Sequence, residues 1–430
     1  MTVELHHQSA SEIARMIRDG RTTPSAVMAA HLDRIAAREA AVGAFVHLDA
    51  ERAMERARAA DHQSPKGLLH GVPFAIKDII DTHDMPTEWG SDLFMDRRPD
   101  RNASCVQVFL DAGAIPLGKT VTTEFAYFRP GKTANPHNLG HTPGGSSSGS
   151  AAAVADHMAP LAFGSQTAAS LVRPAAYCGV CAFKPTTGSF DLAGVMPLAP
   201  SLDTLGLLAR DPKDFILARA VLTGSALPLS PDFSDTMPLI SLMRGPHWGD
   251  GSMEMRDVVS RAMRVLMDHR TETGEIAHPP LFAELTDAQK IVMGYEAARI
   301  HGGMCASHGD AISQQFAQLI RSGQETTEAE YQAALALRDQ ANAMVDLIFT
   351  ECDALLVPSA PGEAPEGLDA TGDPLFSRMW NLLQLPCVAL PLGSGPRGLP
   401  LGIQLIGRKN EDGKLLAIAK WVHGLFSLTP

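Results

Sequence analysis

The chain has 430 residues, 45% of them hydrophobic and 20% charged, with a formal net charge of −12. That composition excludes a disordered or fibrous protein, and the length is enough for a large core. The acidic balance, with Lys and Arg scattered rather than clustered, argues against a nucleic-acid partner.

The predicted elements alternate along the chain. Residues 11–20 and 23–40 show helical apolar spacing, and Thr23-Pro24 is a good helix start. GAFVHL (43–48) reads as a short strand and 50–62 as a helix. LHGVPFAIKDII (69–80) is a β-rich apolar run broken by Pro73, which suits a buried strand. A helix over 105–114 and a strand over 115–120 follow. Residues 253–350 are mostly helical and lead into a strand at 354–360. The carboxyl-terminal part reads strand (386–393), strand (401–407), helix (412–426). No low-complexity linker or internal repeat divides the chain. The fold class is therefore α/β, a large mixed sheet core covered by helices on both faces. No apolar run reaches the ~18 residues of a membrane span, so no membrane partner is expected. The amino-terminal segment lacks an apolar signal core, and six cysteines are too few for a disulfide framework. A reduced, cytoplasmic protein is expected.

The segment PGGSSSGS (143–150) carries four serines. A flexible connector is one reading, but the apolar, helix-competent AAAVADHMAPLAF follows directly. A phosphate cradle is a second, yet no Gly-Lys-Ser/Thr follows the glycines. A hydrolase elbow is a third, since GSSSG (145–149) fits G-x-S-x-G around Ser147. That pattern needs an apolar strand before it, and NPHNLGHTP cannot supply one. A second serine cluster, FGSQTAASLVRPAAYCG (163–179), decides between them. Taken together, the two clusters, spaced with Ser146 and Ser170 24 positions apart, resemble the amidase signature family. The segment GVPFAIKDIIDT (71–82) resembles that family's lysine segment, and further likeness lies at 183–211 and 385–408.

The resemblance implies one amidase signature domain over 1–430, with a variable, mainly helical region at about 245–350. It also implies a Ser-Ser-Lys triad. A carboxamide is a poor electrophile with a bad leaving group, so its cleavage needs an activated nucleophile and a proton source. Ser170 takes the role of nucleophile, Ser146 of proton bridge and Lys77 of base. For that, Lys77 must be neutral, which burial among apolar neighbours favours. Standing alone, Lys77 beside Asp78 reads as a surface ion pair. The resemblance further puts Ser146 on a cis peptide bond after Gly144 and Gly145. It builds an oxyanion hole from the backbone N–H groups of Thr167, Ala168, Ala169 and Ser170. The family commonly has glycine where this chain has Ala168-Ala169, and a Cβ resists positive φ. Ser147 and Gln166 are further candidates around the oxyanion turn, with Phe125 and Tyr127 as candidate pocket walls. Arg173 more readily supports the loop than performs chemistry. The Cys178-x-x-Cys181 spacing lacks a second pair, and no metal or cofactor is implied.

Three functions follow. The first is a free-standing amidase acting on a carboxamide, ureide or hydrazide, with a small-molecule amide substrate and a homodimer left open. The second is the glutamine-hydrolysing component of a tRNA amidotransferase complex, where the turn usually reads Asp-Thr-Gly-Gly-Ser. The third is a catalytically silent scaffold of the same fold.

Overall fold

Helix boundaries follow local chemistry. In the computed structural model, which describes residues 4–227, 233, 237–269 and 271–428, Ser9 caps helix α1 (Ala10–Arg18) by accepting from the Glu12 N–H. Thr23 caps α2 (Pro24–Val42), which has Pro24 in its first turn and ends at Gly43 with φ +64°. Helices α3 (Ala50–Asp61) and α4 (Ser104–Asp111) follow. Next come α5 (Ser148–Ala155), α6 (Val172–Cys178) and α7 (Lys213–Thr223). The helical region predicted near 245–350 holds α8 (Met253–Asp268), α9 (Leu285–His308), α10 (Gln314–Glu325) and α11 (Glu328–Ile348). Two more, α12 (Leu375–Leu382) and α13 (Asp412–Ser427), complete the helices of the described residues. None of them is long and apolar enough to cross a membrane.

Among the described residues one sheet has eleven strands. They are β1 (Phe45–Leu48), β2 (Pro73–Lys77), β3 (Ile115–Thr120) and β4 (Leu161–Gln166). Then come β5 (Cys181–Lys184), β6 (Thr204–Ala209), β7 (Ile240–Leu242) and β8 (Thr273–Glu275). The last are β9 (Ala354–Pro358), β10 (Cys387–Ser394) and β11 (Pro400–Ile406). Their order is β1-β3-β2-β4-β6-β5-β10-β11-β9-β7-β8. The sheet is mixed: β2 runs parallel to β3 and β4, whereas β4, β6, β5 and β10 pair antiparallel in turn. In β2, β3, β4, β5, β6, β9 and β11 every residue is buried. Successive side chains point to opposite faces, so both faces of this sheet are covered.

The core is aromatic where α4 meets the sheet: Phe109 packs on Phe74 of β2 and Phe163 of β4, with ring centroids 5.2 and 4.5 Å away. Because β2, β3 and β4 are parallel, their carboxyl ends lie along one edge. Lys77 ends β2, and the loops after β3 and β4 leave from the same side. That edge is where an open α/β sheet offers room for a ligand.

Candidate active site

Lys77 is fully buried, and its Nζ lies 2.7 Å from Ser146 Oγ and 2.8 Å from Ser165 Oγ. Burial lowers its pKa to about 7, while the Asp203 charge acts weakly the other way. The adjacent Asp78 is not its partner. Asp78 pairs with buried Lys119 of β3 at 3.1 Å, which leaves Lys77 to the hydroxyls. The surface-pair reading of Lys77 therefore does not apply.

Ser146 sits in the loop before α5, after a cis Gly145–Ser146 peptide bond. Gly144 has φ +82°, and a Cβ there would press on the Pro174 backbone at 2.8 Å. Arg173 closes the loop from above: its guanidinium donates to Gly145 O at 2.7 Å and to Gly372 O at 2.5 Å. The backbone N–H of Ser147 donates to Ser170 O at 3.3 Å, so the two serine segments are tied directly.

Ser170 follows a tight turn between β4 and α6. Gln166 Oε1 accepts from the N–H groups of Leu171 and Val172 at 3.0 and 3.1 Å and so holds the start of the helix. Thr167 donates its hydroxyl to Asp203 at 2.6 Å. The Thr167 carbonyl accepts from Gln289 Nε2 of α9 at 3.0 Å and from Asn381 Nδ2 of α12 at 2.8 Å. With the turn fixed this way, the N–H groups of Ala168, Ala169 and Ser170 have no protein acceptor among the described residues. Three adjacent donors without a protein acceptor, in residues that line a cavity, are the kind of group that can receive an anionic oxygen. Neither alanine has positive φ, so their Cβ atoms do not strain this turn. Ser170 Oγ makes no hydrogen bond among the described residues, and it lines the cavity together with Ser146.

That cavity is walled by Tyr127, Phe128, Leu198, Met293 and Pro374 as well as the serine turn. It brings together Ser146, Thr167, Ala168, Ala169, Ser170 and Tyr127. Lys77 lies beneath, in contact through Ser146. Three expected members face elsewhere. Ser147 is fully buried, and its hydroxyl bonds the Ser165 backbone instead. Gln166 spends its carbonyl on the helix start and is likewise buried below the cavity. Phe125 packs into the core against Phe316 at 4.7 Å, while its neighbours Ala126, Tyr127 and Phe128 reach the cavity. Cys178 and Cys181 are buried packing residues whose thiols donate to Pro143 O and Arg210 O.

Sequence reasoning missed Ser165, Asp203 and Arg378. Ser165 is legible only once β4 is recognised, since it lies one residue before the end of that strand. Asp203 accepts from Thr167 Oγ1 and from the Leu198 and Ala199 N–H groups. Burial raises its pKa to about 6. Arg378 comes from α12, far along the chain, and nothing in its local sequence points to this cavity.

The likenesses to known proteins bear on the fold and the family. A solved crystal structure of an amidase superposes with a TM-score of 0.90 at 30% identity, covering 97% of this chain and 100% of that one. The peptide amidase of Stenotrophomonas maltophilia shares the fold at 24% identity, with a TM-score of 0.83 over 98% of this chain and 97% of its own. Among curated sequences, a glutamyl-tRNA(Gln) amidotransferase subunit from Lachnospira eligens is 30% identical, covering 93% of this chain and 94% of its own length. The protein of the same name from Acidothermus cellulolyticus is 31% identical, covering 96% of this chain and 94% of its own length. The family model described as Amidase matches residues 26–416, a span that takes in the lysine segment, both serine segments and nearly the whole sheet; the chain belongs to the amidase signature family.

Proposed function

We propose that the chain cleaves an amide C–N bond through an acyl-enzyme on Ser170, with Ser146 as proton bridge and Lys77 as base. The observation that carries this reading is the buried Lys77 Nζ, 2.7 Å from Ser146 Oγ and with its pKa lowered to about 7. A neutral amine there accepts the Ser146 proton while Ser146 accepts that of Ser170, whose oxygen then bonds the amide carbon. The negative oxygen so formed is held by the N–H groups of Ala168, Ala169 and Ser170. Collapse of that adduct breaks the C–N bond, and the proton returns from Lys77 through Ser146 to the leaving nitrogen. Water then attacks the ester, using the same relay. The continuous sheet supports reading the whole chain as one catalytic domain, with the 245–350 region as its variable part.

The test is labelling with an uncharged fluorophosphonate followed by peptide mapping. The adduct is expected on Ser170, and Ser170→Ala should abolish both labelling and amide turnover. An adduct on another residue overturns the assignment.

A second reading has a specific observation behind it. The curated relatives named above are amidotransferase components by name, and they favour assembly with partner subunits over a free-standing enzyme. The chemistry at Ser170 is common to both readings. They differ in whether the released nitrogen is passed to a second protein and in whether this chain works alone.

A further inference from the structure

The cavity beside Ser170 contains two guanidinium groups that are differently occupied. Arg173 is 4% exposed and spends both terminal nitrogens on backbone carbonyls of the loops around it. Arg378, 6% exposed, also lines the cavity, but among the described residues its guanidinium has a single hydrogen-bond partner, the Gln289 side-chain oxygen. It has no ion-pair partner among the described residues, and Asp287 and Asp373 act on it only from a distance. A guanidinium cannot lose its charge at workable pH, and burying it unpaired is costly. The fork geometry of its remaining N–H groups matches a carboxylate.

Position gives this charge a use. Arg378 lies at the neck between the inner cavity and a wider outer cleft, and together with Phe128, Thr371 and Pro374 it lines both. Its partner Gln289 donates in turn to the Thr167 carbonyl, at the root of the oxyanion turn.

We propose that Arg378 anchors a carboxylate on the substrate, so that the preferred substrates are amides bearing an anionic group a few bonds from the scissile carbonyl. This deepens the hydrolase reading given above and rests on it. In the bound state the substrate's carboxylate supplies the counter-charge that the protein withholds. Neutral amides of the same size leave the guanidinium unpaired, which is how a site built for a polar partner rejects an analogue lacking it.

The experiment compares matched pairs in the purified full chain: malonamate with propionamide, succinamate with butyramide, and glutaramate with valeramide. Ammonia release is expected to give a kcat/KM at least about tenfold higher for the anionic member of the best pair, the scale of a charge-assisted hydrogen bond. Arg378→Met should collapse that ratio to one or below, and Arg378→Lys should keep part of it. A wild-type ratio near one in every pair overturns the proposal. So does an Arg378→Met variant that slows both members equally, as a purely structural role would. If no amide in the panel is turned over, equilibrium binding of malonate, succinate and glutarate decides. Binding lost in Arg378→Met supports the anchor, and no binding to the wild type overturns it. Failure of the fluorophosphonate to label wild-type Ser170 would count against the hydrolase reading separately.

Discussion

At the residue scale the strongest constraint is Lys77, a buried amine whose hydrogen-bond partners are the hydroxyls of Ser146 and Ser165. With a pKa lowered to about 7, it is protonated at pH 5 and neutral at pH 9. Acylation should therefore rise with pH through a midpoint near 7 and then level off. Asp203 favours the ammonium form, so Asp203→Asn should move that midpoint to lower pH, with the amide oxygen accepting from the Leu198 and Ala199 N–H groups and the amide nitrogen donating to the Thr167 hydroxyl. An unchanged or raised midpoint would show that the profile reports another group. Lys77→Ala should remove the rising limb and slow turnover by orders of magnitude, and Lys77→Arg should not restore it, since guanidinium stays protonated. The lysine and both serines were singled out by the resemblance of their segments to the amidase signature, since Lys77 standing alone reads as a surface ion pair. Ser165 and Asp203 were not, because their roles depend on strand register and on a turn that folds back over 197–203.

At the element scale, the helical region that holds α9 and α10 is fastened by close helix packing. Gly294 of α9 and Gly323 of α10 face one another, and a Cβ on Gly323 would overlap the Gly294 carbonyl. A Cβ on Gly294 would meet Gly323 Cα only at an ordinary 3.6 Å. Gly323→Ala should therefore push the helices apart and lower the melting temperature by several degrees, consistent with an overpacking cost of about 1–3 kcal/mol. Gly294→Ala should be neutral or stabilising, because alanine favours a helix by ~1 kcal/mol over glycine. Thermal melts of both variants check this, and equal losses would contradict the asymmetry. The long helices and the apolar strands at 73–77, 115–120 and 354–358 were readable from periodicity. Strand β4 was hidden because its second half, Gly-Ser-Gln, lacks β-branched residues, and β7 and β8 have only three residues each. Such strands exist through their neighbours' pairing rather than their own propensity.

At the scale of the whole molecule, the open matter is whether the chain acts alone. The cavity, its N–H donors and the Lys77–Ser146 hydrogen bond all come from this one chain. The purified protein should thus release ammonia or amine from a small amide with no other protein added. If turnover appears only when partner proteins are supplied, the amidotransferase reading replaces the free-standing one. The Thr167 carbonyl bears on how such a protein diversifies. It is gripped by Gln289 of α9 and by Asn381 of α12, so the helical region that holds α9 is not a detachable insert. Residues on the exposed faces of α9 to α11 can change without touching these two hydrogen bonds. A change at Gln289 itself loosens both the Thr167 carbonyl and the Arg378 guanidinium at once. A graft of the same region from a distant relative would therefore have to carry its own hold on that carbonyl.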